Sequence, residues 1–193
     1  GRFYDFSDGS IFLDGIDLNQ ILSKELRRRV GVVLQDFHVF SGSIYENISL
    51  GNPLVTKKKA QEAALITNAH DFISRLPQGY DTVMLERGAN LSHGQRQLLA
   101  FARVLAADPE VLVLDEATAS VDTETELQIE KGLENLIENR TAILIAHRLQ
   151  TVRKSDRILV LNDGKVAEFG TEKELLSNRG LYHKLHQLQF QDK

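Results

Sequence analysis

The 193-residue chain contains no cysteine, so disulfides and thiolate metal sites are excluded and a reducing compartment suits it. It has no long apolar run; the longest are a few residues, far short of the roughly 20 needed to cross a bilayer. A basic balance is also missing. Lys and Arg number 23 against 27 Asp and Glu, a formal net charge of -4, which argues against a nucleic-acid partner. The short runs Arg27-Arg28-Arg29 and Lys57-Lys58-Lys59 read as solvated faces. No signal-peptide pattern, internal repeat, low-complexity tract or interdomain linker is visible. What is there is ordinary for a globular chain with a substantial core: 42% hydrophobic and 26% charged residues.

Asp14-Gly15, flanked by short apolar runs, spells a two-residue hairpin turn. Residues 30–34 are continuously apolar and predict a strand buried on both faces. Residues 43–48 start a short helix, and 57–66 and 68–76 read as two more. Asn68 and Asp71 are the expected capping pair of the last, and Pro77-Gln78-Gly79 its stop. Residues 41–90 thus form a helical insertion in an α/β chain. Ser92 opens a helix with Leu98, Phe101, Ala102 and Leu105 at helical spacing, closed by Asp108-Pro109. A strand over 111–115 follows. Thr123 and Glu126 predict a capping box for a helix with Ile129, Leu133, Leu136 and Ile137 on one face, weakened by Gly132. Residues 141–146 read as a strand, and 157–161 with 165–169 as a hairpin around Asn162-Asp163-Gly164. Thr171 and Glu174 cap a further helix, and an amphipathic segment covers 181–190.

Three apolar strands run into polar chemistry, at Gln35, at Asp115-Glu116 and at His147. In open α/β sheets, ligands lie beyond the carboxyl ends of the strands. Asp115 and Glu116 can be two acids opening a solvated loop. They can also divide a task, Asp115 holding Mg²⁺ through its water shell while Glu116 orients and deprotonates a water. His147 is either structural or a donor to a phosphate oxygen as charge develops. Gln35 is a loop amide or a second oxygen ligand for Mg²⁺. Ser92 reads as an N-cap, but that does not account for Gly94, which weakens a helix. A phosphate closely approaching the helix start at Ser92, Gly94 and Gln95 accounts for both. The remaining histidines, His38, His70, His93, His183 and His186, show no metal-ligand spacing.

In order and kind these pieces resemble the ATP-binding-cassette (ABC) ATPases. Gln35 is similar to the Q-loop, Leu91-Ser92-His93-Gly94-Gln95 to the signature, and Val111-Leu112-Val113-Leu114-Asp115-Glu116 to Walker B. Ala119-Ser120-Val121-Asp122 is similar to the D-loop and His147 to the switch histidine. The segments Arg2-Phe3-Tyr4-Asp5, Ser41-Gly42-Ser43-Ile44-Tyr45-Glu46-Asn47-Ile48 and Glu86-Arg87-Gly88 resemble the exporter subgroup, the bacterial multidrug and lipid exporters. The resemblance implies an α/β, P-loop NTPase-like (RecA-like) fold over residues 1–193, with a mostly parallel sheet and an α-helical subdomain over 41–90. It implies ATP and Mg²⁺ as cofactors, and catalytic roles for Glu116 and His147. Gln35, Ser92, Gly94, Gln95, Asp115, Ser120 and Asp122 would bind the nucleotide, with Gln35 and Asp115 on the metal. The implied partners are a second ABC nucleotide-binding domain, in a head-to-tail homo- or heterodimer, and an exporter's transmembrane domain at the cytoplasmic face of the cell membrane. Phe37, Val39 and Phe40 would lie near the groove receiving that domain, although Val39 also reads as core.

Two departures qualify this. No G-x-x-x-x-G-K-[ST] loop occurs among the 193 residues, so the expectation is a domain whose N-terminal part is missing and which alone neither binds ATP tightly nor hydrolyses it. Second, the signature reads His93-Gly94 where the family has two glycines, a pattern similar to heterodimeric exporters with one impaired site; this chain would supply the catalytic Walker B half of the good one. The alternatives are a soluble, non-transport ABC ATPase, which predicts long coiled-coil insertions or basic surfaces, and an inactive fragment keeping only partner-contact surfaces.

Overall fold

The computed structural model describes residues 2, 4, 8–34, 38–85, 88–115, 123–146 and 149–190. The chain divides into two compact units, Gly1–Ile143 and Leu144–Lys193.

In the first unit, β1 (Phe12–Leu13) and β2 (Ile16–Asp17) form the expected hairpin. Asp14 and Gly15 both take positive φ, 51° and 78°, as the tight turn matching strand twist requires. Helix α1 (Ser23–Arg29) places Arg27, Arg28 and Arg29 in its last turn, where cations suit the helix dipole. Arg29 also forks to Glu110 and Asp14, at 2.6 Å each, and those two carboxylates hold its guanidinium above its ordinary value.

β3 (Val30–Val33) is followed by β4 (Gly42–Ser43), α2 (Ile44–Ser49), α3 (Lys57–Ile66), α4 (His70–Ser74) and β5 (Val83–Met84), which pairs antiparallel with β4. The β4–β5 pair carries no sequence signal, being two residues per strand. Helix α5 (His93–Ala106) leads to β6 (Val111–Asp115), then α6 (Thr123–Ile137) and β7 (Thr141–Ile145). The sheet order is β3-β6-β7. β3 and β6 run parallel, with Val33 opposite Leu114.

Helix α5 is the centre of this unit. It packs against α2, α3, α6 and β3, burying Leu98, Leu99, Phe101, Ala102 and Leu105. Each large side chain so buried contributes about 1.5–3 kcal/mol. Gly31 is forced by this packing: a Cβ there would lie 2.7 Å from both Val104 and Pro109. Within this chain one face of β3 is covered: Val33 is buried, while Val32 is 37% and Leu34, just past the strand, 57% exposed. A continuous apolar run identifies a strand but not how many layers cover it.

A seam joins α3 to α6. Asn135 donates to the Ile66 carbonyl at 2.7 Å and Asn68 to that of Gln128 at 3.2 Å. A Cβ on Gly132 would meet the Thr67 carbonyl oxygen at 2.7 Å, so that glycine permits the approach at a cost in helix propensity. Asn68 is therefore not the cap of the next helix. It sits at φ 61°, a conformation Asn tolerates, and α4 starts after Ala69 without a side-chain cap. Likewise α6 already includes Thr123, so Thr123 is in its first turn rather than the capping position.

The second unit contains α7 (Leu149–Val152), the hairpin β8 (Ile158–Asn162) and β9 (Lys165–Gly170), α8 (Glu172–Asn178) and α9 (Leu181–Phe190). Asn162 pairs with Lys165, so the turn is Asp163-Gly164 alone, both with positive φ. Leu149, Ile158, Val160, Leu175 and Tyr182 form the core. The Glu168 carboxylate accepts from the Leu181 and Tyr182 amides at 2.8 and 2.9 Å, satisfying the start of α9. Among the described residues, no helix is long and apolar enough to cross a membrane.

Candidate functional site

Two pieces of the expected site lie within the described residues, the start of α5 and the end of β6. Ser92 caps α5 in extended geometry, φ -66° and ψ 164°. Its Oγ accepts from the Gln95 amide at 3.2 Å, and Gln95 Oε1 accepts from the Ser92 amide at 3.0 Å. This reciprocal box ties both polar side chains to the backbone. The His93 and Gly94 amides make no hydrogen bond among the described residues. Two unengaged N–H groups at the positive end of a fourteen-residue helix with no acid in its first turn fit a phosphate oxygen.

The turn before α5 is fixed from inside. Leu91 is buried, and Arg96 donates to its carbonyl at 2.8 Å. His93 is half-buried, with a buried Nδ1 that has no partner among the described residues. Gly94 is buried and has a packing reason of its own: a Cβ there would collide with Thr125 of α6.

Asp115 is the last residue of β6, one position past Leu114, whose neighbour across the parallel ladder is Val33. β3 and β6 thus end at the same edge. A carboxylate there is the hard oxygen donor that Mg²⁺ takes, so the residue present fits that ion. Gln35, Glu116, Ser120, Asp122 and His147 lie outside the described residues, as does Phe37.

Sequence reasoning missed Arg103, three turns into α5. Its guanidinium donates to the Asn47 carbonyl at 2.8 Å, the His38 carbonyl at 2.8 Å and Asn47 Oδ1 at 3.2 Å, and lies 5.6 Å from the centre of the Phe40 ring. Burial pushes its pKa down. Asn47 in turn accepts from the Phe40 amide and donates to the Phe40 and Ser43 carbonyls. Residues 38–47 are thereby fastened to the helix that Ser92 opens, with Val39 buried and Phe40 53% exposed. Only the apolar spacing of α5 was legible; a half-buried arginine between Ala102 and Val104 carries no local signal.

Comparison with known proteins bears on these pieces. Residues 2–119 match the family model described as ABC transporter. The chain is 47% identical over 188 residues to ABC transporter B family member 4 of Dictyostelium discoideum, covering 97% of this chain and 24% of that protein. It is 47% identical over 191 residues to the ATP-dependent lipid A-core flippase of Syntrophus aciditrophicus (strain SB), covering 99% and 32%. A bacterial Atm1-family ABC exporter, solved with ATP bound, superposes with a TM-score of 0.89 at 42% identity, covering 98% of this chain and 33% of that one. The chain thus spans about a quarter to a third of the length of these relatives.

Proposed function

The chain belongs to the ABC transporter family, and on that premise we propose that it is the ATP-binding and ATP-hydrolysing domain of an exporter, coupling hydrolysis to transport across a membrane. The observation that carries this reading is the likeness, along nearly the whole chain, to an exporter solved with ATP bound.

In this reading the His93 and Gly94 amides and Ser92, with Gln95 holding the turn, receive the terminal phosphate of a nucleotide held by a second ABC domain, head to tail. Asp115 and Gln35 would hold Mg²⁺ through oxygen, and the ion would supply positive charge against the phosphate oxygens. Glu116 orients the attacking water and takes its proton. His147 donates a hydrogen bond to a γ-phosphate oxygen as charge builds there. Ser120 and Asp122 belong to the stretch facing the second domain. The helical part over 41–90, with exposed Phe40 beside it, meets the transmembrane partner at the cytoplasmic face.

The test is ATP hydrolysis by the protein made from its full gene. Glu116→Gln is expected to lower turnover at least about 100-fold, the scale of a lost general base, without weakening nucleotide binding. Turnover unchanged by that substitution would overturn the assignment.

A further inference from the structure

We propose that Thr125 is a positioning residue for the opening turn of α5: its methyl group sets where the His93 and Gly94 amides stand. The inference rests on the reading of that turn as a phosphate site. Gly94 is the second residue of α5 and is buried. A Cβ built on it collides with Thr125 Cγ2, whereas the next nearest atoms, Ile129 Cδ1 at 3.4 Å and Thr125 Cβ at 3.6 Å, are at ordinary contact distance. A single methyl group therefore separates glycine from alanine at this position.

Neither partner can yield cheaply. Thr125 is β-branched and helical, with few χ1 choices, and it holds another interaction as well. Helix α6 is held against the end of α3 by the Asn135 and Asn68 hydrogen bonds, with Gly132 set closely against the Thr67 carbonyl, which opposes its backing away as a body. A side chain at residue 94 would instead displace the first turn of α5. Positioned groups tolerate little of that, since a shift of about 1 Å can cost about 100-fold in rate.

The prediction is a rescue, made in the protein expressed from its full gene. The variants are Gly94→Ala, Thr125→Ser, the pair, and Gly94→Ala with Thr125→Val. Serine removes only the colliding methyl and keeps the hydroxyl; valine keeps a methyl on each branch. Alanine is the better helix residue, so Gly94→Ala should lower Tm beside threonine and raise it in the Thr125→Ser background, both without nucleotide. ATP hydrolysis should fall by about tenfold or more in Gly94→Ala. It should return to within about threefold of Thr125→Ser alone in the pair, the non-additivity of residues in contact. The valine pair should stay as slow as Gly94→Ala. A Tm effect that does not change sign, or a serine pair as slow as Gly94→Ala alone, would overturn the role of Thr125. If Tm reverses sign but no variant alters hydrolysis, Thr125 positions nothing catalytic, and the phosphate-site reading of α5 fails with it while the packing contact stands.

Discussion

Helices α2, α5 and α8 all open with the same reciprocal box, but two of the openings are acidic and one is neutral. At α2, Glu46 Oε2 accepts from the Ser43 amide at 2.6 Å; at α8, Glu174 Oε2 accepts from the Thr171 amide at 2.7 Å. The corresponding bond at α5, to Gln95 Oε1, is 3.0 Å, as expected without charge assistance. Bonds from the capping residues hold Glu46 and Glu174 below the ordinary glutamate value. Both keep a negative charge against the positive helix end, whereas α5 has no acid in its first turn. One geometry thus serves two ends. With glutamate it closes a helix start; with glutamine it fixes the backbone and leaves the positive potential available to an outside anion.

The largest expected effect comes from erasing that difference. Gln95→Glu should preserve the box and leave Tm equal or higher, yet weaken ATP-dependent hydrolysis by about tenfold or more, since about 1.4 kcal/mol of added repulsion suffices. Unimpaired hydrolysis would remove the distinction between the three openings. Next come the caps themselves. Ser43→Ala, Ser92→Ala and Thr171→Ala should each cost about 1 kcal/mol of stability, read as a few degrees of Tm, but only Ser92→Ala should also slow hydrolysis. The smallest effect is in pH. Glu46 and Glu174 ionise below the ordinary 4.5 in the folded chain. Their boxes therefore stabilise fully above that value and lose this contribution as pH falls through the lowered one. The Tm deficits of Ser43→Ala and Thr171→Ala should shrink as pH falls below the ordinary glutamate value, while that of Ser92→Ala should hold, because Gln95 does not titrate.

What could be read from the sequence was what is local. The Asp14-Gly15 turn, helix α3, the Thr171–Glu174 box and the strand ending at Asp115 all follow from short patterns that nothing distant overrides. The failures were long-range. Asn68 and Thr123 carry capping chemistry, but the first ends α3 and reaches across to α6, and the second is drawn into α6 itself. Gly94 and Gly132 have packing reasons that no local pattern announces, beside the ligand reading of the first and the helix cost of the second. Both are places where another element comes too close for a side chain, and contact between residues thirty or more positions apart has no periodicity. For the site, order and spacing placed Ser92, Gln95 and Asp115 on a helix start and a strand end. The roles of Gln35, Glu116, Ser120, Asp122 and His147 rest on their residue types and their order along the chain.

The central claim is that the neutral opening of α5 receives a phosphate and the two acidic openings do not. Amide hydrogen exchange in the protein made from its full gene, with and without Mg²⁺ and a non-hydrolysable ATP analogue, tests it directly. The account predicts slowed exchange in the peptide over residues 91–98, none over 43–49 or 171–178, and loss of that protection in Gln95→Glu. Exchange at 91–98 unchanged by the nucleotide, or equal protection at all three openings, would contradict it.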